Sequence, residues 1–358
     1  MRAAFINSAW MTDPFTRESI PDSSPYYRQW LPMQTLPGDP VMGMTAWLGD
    51  RGFGIKTGPA LANFNFDTIS IKNEMHRWIP HQITEARKCG QRIIQDVDDL
   101  YDDIPEGNAA RQRLDPEKDA ATNIDHYREG LLRSDTLTVS TPTLLEHYEA
   151  LGHDDVRLIR NGVNPSLFNY RKPTKGKPVL GWMGVVRMRL EDMAMLREWL
   201  PDFLEEHDLM FHHSGYTVGE ETFAEYVGID PERLTMAPML PITYLHQGMQ
   251  FDIGLVPLHD SPFNRAKSYL KGLEYACSGI PFVAQDLPEY EHLAQTGVGR
   301  TAHTPEDWVR EVTALLDPDL RRFEARINHT VVLEKHTIAQ RADEWREVFS
   351  PQRATLGT

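Results

Sequence analysis

Short apolar runs alternate with amphipathic stretches along most of the chain. In the second half the runs Val179–Met183, Leu209–His213, Leu234–Met236, Ile253–Val256 and Ile280–Ala284 read as strands. Between and after them, 191–200, 220–227, 243–250, 264–277 and 308–316 carry apolar residues at helical spacing. Such alternation predicts a doubly wound parallel sheet. The first half repeats it less evenly. Strands are predicted at Ala3–Ile6, Asp67–Ile71, Arg92–Gln95, Thr136–Ser140 and Val156–Ile159, and helices at Glu74–Lys88, Asp125–Ser134 and Pro142–Leu151. Asp13–Trp30 reads as a polar, aromatic loop. Residues 31–66, rich in Gly and Pro, are expected to hold a weak helix or two and a strand. Residues 169–178, with four basic residues and two prolines, read as a linker. The expectation is an α/β protein with an N-terminal domain 1–168, a C-terminal domain 179–335 and a closing segment 336–358 that contains a helix, Ile338–Phe349.

A length of 358 residues suits two domains. Apolar residues at 41% and charged residues at 25% are ordinary for a globular chain. No stretch approaches 18 uncharged apolar residues, so no membrane span is expected. The start, MRAAFINSAW, has neither a long apolar core nor an A-x-A site, so it does not read as a signal peptide. Cys89 and Cys277 form neither a disulfide framework nor a zinc pattern, and a reducing cytoplasm is the expected location. The sequon at Asn328 carries no meaning there. A net charge of −15 argues against a surface that grips nucleic acid, while leaving room for a local basic cleft.

The most informative stretch is 251–290. It reads as a buried strand ended by Pro257, a turn-forming loop, a helix capped by Asn264 and running to Cys277, and a second strand after Gly279 and Pro281. Leu270, Leu273 and Cys277 share one helical face. Lys267, Lys271 and Glu274 share another. A helix start after a parallel strand suits phosphate, the lysines add positive charge, and an acidic residue two turns in suits a ribose diol. The plain alternative is a solvated Lys/Glu face.

Glu274, Ala276, Gly279, Pro281, Val283 and Ala284 match E-x-x-A-x-G-x-P-V-V-A, which resembles the nucleotide-sugar signature of GT-B glycosyltransferases of the family-four type. The usual motif has a second Glu eight residues earlier, where this chain has Ala266. With Asn264, Lys267, Ser268 and Lys271 it resembles instead a bacterial and bacteriophage subgroup reading F-N-x-x-K-S-x-x-K-x-x-E-Y. The resemblance implies that Glu274 holds the donor ribose and that Lys267 takes over near the sugar and phosphates. Asn161-Gly162-Val163-Asn164, followed by Phe168, resembles the exit of the N-terminal domain in that family. Gly181-Trp182-Met183-Gly184 occupies the place where the family approaches the donor pyrophosphate. Arg187 or Arg189 is then expected to pair with phosphate. Met239 and Leu240 lie where the family contacts the base through its backbone. Tyr290, after Glu289, falls near the donor.

The run Asp96–Asp103 permits four readings: a metal-binding aspartate-x-aspartate pair, a haloacid-dehalogenase-type phosphatase start, a prenyl-diphosphate-like DDxxD, or the cleft-facing loop of a GT-B N-terminal domain. The resemblance favours the last, with Asp98 or Asp99 acting on the acceptor; the plain alternative is an acidic helix start. Arg28, in the loop after the first strand, is expected either to contact donor phosphate or acceptor or to be structural. His212-His213 and His259-Asp260 lack metal spacing and read as strand-end and loop residues.

The resemblance implies two Rossmann-like domains facing a cleft, with the last helix crossing back to the first domain. It implies transfer of a sugar from a nucleoside diphosphate, UDP or GDP, to an acceptor hydroxyl, with retention and with no metal or cofactor. Lys267, Asp98 and Asp99 are the expected catalytic groups. A surface glycan, a virion protein or a modified DNA base are the acceptors considered, with the host cytoplasm as location if the chain is phage-encoded. The alternatives are a metal-dependent phosphatase on Asp96–Asp99 and a non-catalytic nucleotide-sugar-binding protein.

Overall fold

In the computed structural model the described residues are 2–7, 10–12, 19–21, 23–44, 61–62, 65–108, 111–216 and 222–350. Those of Met1–Asp102, Gln112–Asn161 and Ile338–Thr358 form one unit; Asp103–Arg111 and Gly162–Thr337 form a second.

Six strands build the first unit's sheet: β1 (Ala3–Asn7), β2 (Val41–Met44), β3 (Thr68–Lys72), β4 (Arg92–Val97), β5 (Thr136–Val139) and β6 (Val156–Leu158). All pair in parallel, in the order β2-β1-β3-β4-β5-β6. The residues of β1, β3, β4 and β5 are buried on both faces, Arg92 at the start of β4 only in part, as in a sheet covered on both sides. Ile6, Ile69, Ile71 and Ile93 pack with Ile79, Ile83 and Ala86 of the helix Ile79–Lys88. Ala3, Phe5 and Ile94 point the other way and pack with Trp345, Val348 and Phe349 of the helix Ala342–Phe349. Phe5 and Phe349 stack with ring centres 5.0 Å apart. The last helix thus supplies one wall of the first core.

Two expectations for this unit change. The helix expected from Glu74 begins at Ile79, with Pro80 in its first turn. Residues 75–77 are held instead by backbone bonds, Asn123 N–H to Met75 O and Arg77 N–H to Ala121 O. The loop expected over Asp13–Trp30 is ordered where it is described: Ser19–Pro21 pairs with Trp10–Thr12, and 23–33 is helical, with a π turn at Tyr26–Trp30. Residues 13–18 and Asp22 of that loop, 45–60 of the Gly/Pro-rich segment, and Glu220 and Glu221 of the helix expected at 220–227 lie outside the described residues.

The second unit holds β7 (Val179–Val185), β8 (Met210–Tyr216), β9 (Leu234–Ala237), β10 (Ile253–Val256), β11 (Phe282–Gln285) and β12 (Arg300–Ala302), again all parallel, in the order β9-β8-β7-β10-β11-β12. The direction of winding reverses between β7 and β10. Open α/β sheets bind ligands at such a switch point, at the carboxyl ends of the strands. Three helices were not expected: Leu200–Glu206, Pro288–Gln295 and Pro318–Lys335. Each carries a proline in its first turn, where the missing N–H costs nothing, so the proline starts the helix rather than breaking a pattern. Residues 169–178 belong to this unit. Arg171 N–H donates to Ser278 O and Thr174 N–H to Asp252 Oδ1; Arg321 donates to the carbonyls of Thr174 and Gly176.

Trp345 is 2% exposed, and its ring also lies 5.0 Å from the Arg28 guanidinium. Trp345→Ala is expected to destabilise the protein by about 3–5 kcal/mol, read as a lower urea midpoint.

Candidate active site

Met183 ends the buried part of β7, and its peptide is held from both sides by the helix Leu270–Cys277. Its N–H donates to the Tyr275 hydroxyl at 3.1 Å, and its carbonyl accepts from Lys271 Nζ. The next carbonyl, of Gly184, accepts from His213 Nε2 at 3.0 Å. A Cβ at Gly184 would lie 2.5 Å from the Trp182 ring, and one at Gly215 would lie 1.8 Å from the Gly184 oxygen. Only glycines let the two strand ends meet here. His213 is stacked on Trp182 and on Phe223, with ring centres 5.3 and 4.5 Å away. Burial, partly offset by the bond to Gly184, pushes its pKa down to about 4. A carbonyl only accepts, so Nε2 carries the proton. His212 is fixed as well, by Thr235 Oγ1 and Gly248 O. Both histidines lie inside β8, buried.

The helix expected from Asn264 to Cys277 is in two pieces. Ser261 caps Pro262–Arg265, accepting the Asn264 N–H at 3.2 Å. The chain leaves the helix at Lys267 and Ser268 and re-enters it at Leu270. Lys267 is therefore not on the helical face of Lys271 and Glu274; its ammonium sits 4.0 Å over the Phe263 ring. That face is not a solvated one either: Lys267 and Glu274 are buried and Lys271 is half-buried. The break comes where Asn264 turns inward, its Nδ2 donating to Asp192 Oδ1 at 2.7 Å and to His259 O at 2.8 Å. Asp192 Oδ1 also accepts the His259 N–H at 2.8 Å, and its Oδ2 lies 3.5 Å from Arg189. One buried carboxylate thus ties the turn after β7 to the loop after β10.

Around Lys271 gather Glu274, Arg189, Lys267 and Asp192. Burial, and to a lesser extent the other two cations, brings Lys271 down to about 8. Tyr290, from the helix Pro288–Gln295, is buried beside Glu274, and burial and then that carboxylate push its hydroxyl up. Tyr269, which precedes the helix Leu270–Cys277, gives no side-chain cap, so its first N–H groups have no side-chain acceptor from that position. Arg187 is exposed on the turn Val186–Met188. Met239 and Leu240 are half-buried after β9, where Met239 O accepts from Tyr216.

Arg28, Asp98 and Asp99 lie in the first unit. Arg28 is fully buried, not a loop residue turned outward: it donates to both oxygens of Asp96, at 2.7 to 3.2 Å, and to Ile159 O and Asn161. Lys72 bridges Asp96 at 3.0 Å and Asp98 at 2.6 Å. Thr138 donates to Asp96 at 2.7 Å and Ser24 to Asp98. Burial raises the Asp98 pKa, but the Lys72 charge and these bonds bring it below its ordinary value. With both oxygens taken, Asp96 is not the free nucleophile that a phosphatase needs. Asp99 is half-buried beside it. Asp102 accepts from Arg128, His147 and Tyr148. Among the described residues no cluster of three His, Cys, Asp or Glu forms a metal cage. Sequence reasoning missed Lys72 and Asp192, and read His213, which lies inside a strand, as a strand-end residue. Lys72 had one signal, a lone lysine closing an apolar strand; Asp192 and His213 depend on partners far along the chain.

No family model matches the chain. Over 169 residues, 44% of its length, it is 29% identical to the putative teichuronic acid biosynthesis glycosyltransferase TuaH of Bacillus subtilis. The match spans 41% of that protein, so the chain covers about two-fifths of the curated relative it resembles. Among solved structures, HepE of Anabaena in complex with UDP-glucose superposes over 97% of this chain and 99% of its own, with TM-score 0.66 and 11% identity. Sucrose-phosphate synthase of Thermosynechococcus elongatus does so over 98% of both chains, with TM-score 0.65 and 14% identity. The fold is GT-B. In GT-B terms the switch point of the second unit carries the sequence-predicted Gly184, Arg189, Asn264, Lys267, Lys271, Glu274 and Tyr290 as one constellation.

His213 yields a prediction. Its pKa is depressed in the fold, so its contribution to stability is complete above pH 6.5 and is lost as pH falls from 6.5 toward 4. The urea midpoint should drop between pH 7 and 5 more in the wild type than in His213→Gln.

Proposed function

We propose that the chain is a glycosyltransferase that moves a sugar from a nucleoside diphosphate to an acceptor hydroxyl, with retention and without a metal. The observation that carries this is the constellation at the second switch point. Arg189, Lys267 and Lys271 gather there with Glu274 and Asp192, where Gly184 and Gly215 let two strand ends approach closely. The start of Leu270–Cys277, where Tyr269 gives no side-chain cap and the Gly272 N–H goes to the Tyr290 hydroxyl, turns its positive end to the same place. Glu274, one turn further, accepts the ribose hydroxyls.

In the reaction the bond from the anomeric carbon to the diphosphate oxygen breaks. The acceptor oxygen bonds to the same face, and its proton passes to the departing phosphate. Charge developing on that phosphate is met by Lys267, Lys271 and Arg189, fixed before the reaction begins. Arg187, exposed on the same turn, guides the anion in. Met239, Leu240 and Tyr290 shape the base and ribose end. On the acceptor side Asp98, held by Lys72 and Ser24, and Asp99 orient the hydroxyl; Arg28 supports them through Asp96. UDP is the favoured nucleotide, because HepE was solved with UDP-glucose. A glycan is the favoured acceptor, because TuaH is named for teichuronic acid synthesis. The charge of −15 disfavours DNA.

A thermal-shift screen against UDP-, GDP-, ADP- and TDP-sugars, with Mg²⁺ and with EDTA, tests the reading. One nucleotide family should raise the melting temperature in EDTA, by roughly 2.7 kcal/mol of stability at a hundred times Kd. A shift that needs metal would overturn the metal-free part, and no shift with any donor would overturn the whole. Glu274→Ala should weaken the nucleotide about tenfold while remaining folded; unchanged affinity would remove the ribose role. Lys271 loses its charge as pH rises through about 8. Nucleotide affinity should therefore fall from pH 7 to 9, and Lys271→Arg should flatten that fall in a calorimetric titration.

A further inference from the structure

The Asn264 amide has an unambiguous orientation. Its nitrogen donates to a carboxylate oxygen of Asp192 and to the His259 carbonyl, neither of which can donate in return. Its oxygen is therefore presented as an acceptor. The residue is 4% exposed, and among the described residues Oδ1 has no hydrogen-bond partner. A buried acceptor of this kind is destabilising unless something donates to it. Asn264 lines a cavity of about 20 Å³ with Gly107, Asn108, Arg189, Asp192 and Phe263. That volume admits one water-sized group and no more. Arg189 can donate there while Asn264 accepts. A hydroxyl, which does both, fits this pair better than a methyl or a phosphate oxygen does.

We propose that Asn264 is a specificity residue: its Oδ1 accepts a hydrogen bond from one hydroxyl of the transferred sugar, and the cavity receives that hydroxyl. This rests on the donor-site reading above and adds that the protein reads the sugar, not only the nucleotide. Asp192 serves as the positioning residue that aims the amide. A sugar lacking that hydroxyl would leave the acceptor unpaired, and a binding site discriminates most strongly against that kind of loss.

The test compares the nucleotide sugar that gives the largest shift in the screen with its own nucleoside diphosphate, by calorimetric titration. Asn264→Ala should weaken the nucleotide sugar roughly tenfold and change the nucleoside diphosphate less than twofold. Asn264→Ser, which keeps a donor for Asp192, should show the same split and serves if the alanine variant does not fold. Equal losses for both ligands, or no loss for either, would overturn the proposal, since a residue that only shapes the loop or holds a water does not distinguish them. A wild-type protein that binds the diphosphate but no more tightly when sugar is attached would overturn it too, leaving the nucleotide reading intact. A wild-type protein that binds neither would overturn both.

Discussion

The peptide of Met183 is the point on which the second unit turns. Its N–H is spent on Tyr275 and its carbonyl on Lys271, both from the helix that follows β10. A strand end normally leaves such groups to water or to a ligand. Here the helix takes them, and in doing so is pinned across the winding reversal between β7 and β10. The pinning places a lysine in a site that strips its water, with a neighbouring glutamate as partial compensation. Asp192 works in the same sense from the other side, fastening the next loop to the turn after β7. Geometry at the switch point is fixed by bonds internal to the unit, so binding need not order it.

The two units treat buried charge differently. In the first, Arg28 and Lys72 face Asp96 and Asp98 at 2.6 to 3.2 Å, with hydroxyls from Thr138 and Ser24 completing the carboxylates. Such a network is self-contained; removing one member would strand another. In the second, cations exceed carboxylates and an amide oxygen is left over. Excess of one sign in a partly buried place is unfavourable for the free protein and favourable for a dianionic ligand.

How much of this was legible in the sequence follows from how local each signal is. Ten of the twelve strands of the two sheets were readable because buried parallel strands carry short apolar runs, and Ile253–Val256 needed no partner to be recognised; Val41–Met44 was not placed within 31–66 and Arg300–Ala302 was not expected. Glu274 and Lys271 were readable because they sit in one short motif. The break at Lys267 was not, because it depends on Asn264 finding Asp192, 72 positions away in the chain. Arg28 looked like a loop residue because Tyr26-Tyr27-Arg28 is polar and aromatic, yet its carboxylate partner lies 68 positions on. The helices that start with Pro201, Pro288 and Pro318 were hidden by the reflex that reads proline as a stop.

The chain passes from one unit to the other at 102/103, 111/112, 161/162 and 337/338. The wall formed by Trp345, Val348 and Phe349 against Phe5 and Ile94 is the last part of the first unit to be synthesised. On the ribosome, therefore, one face of the first sheet waits for its last helix until residues 162–337 of the second unit have been made. During that interval the apolar face centred on Phe5 lacks the cover of Trp345, Val348 and Phe349 and keeps, among the described residues, only that of Leu36 and its neighbours Met33 and Met42.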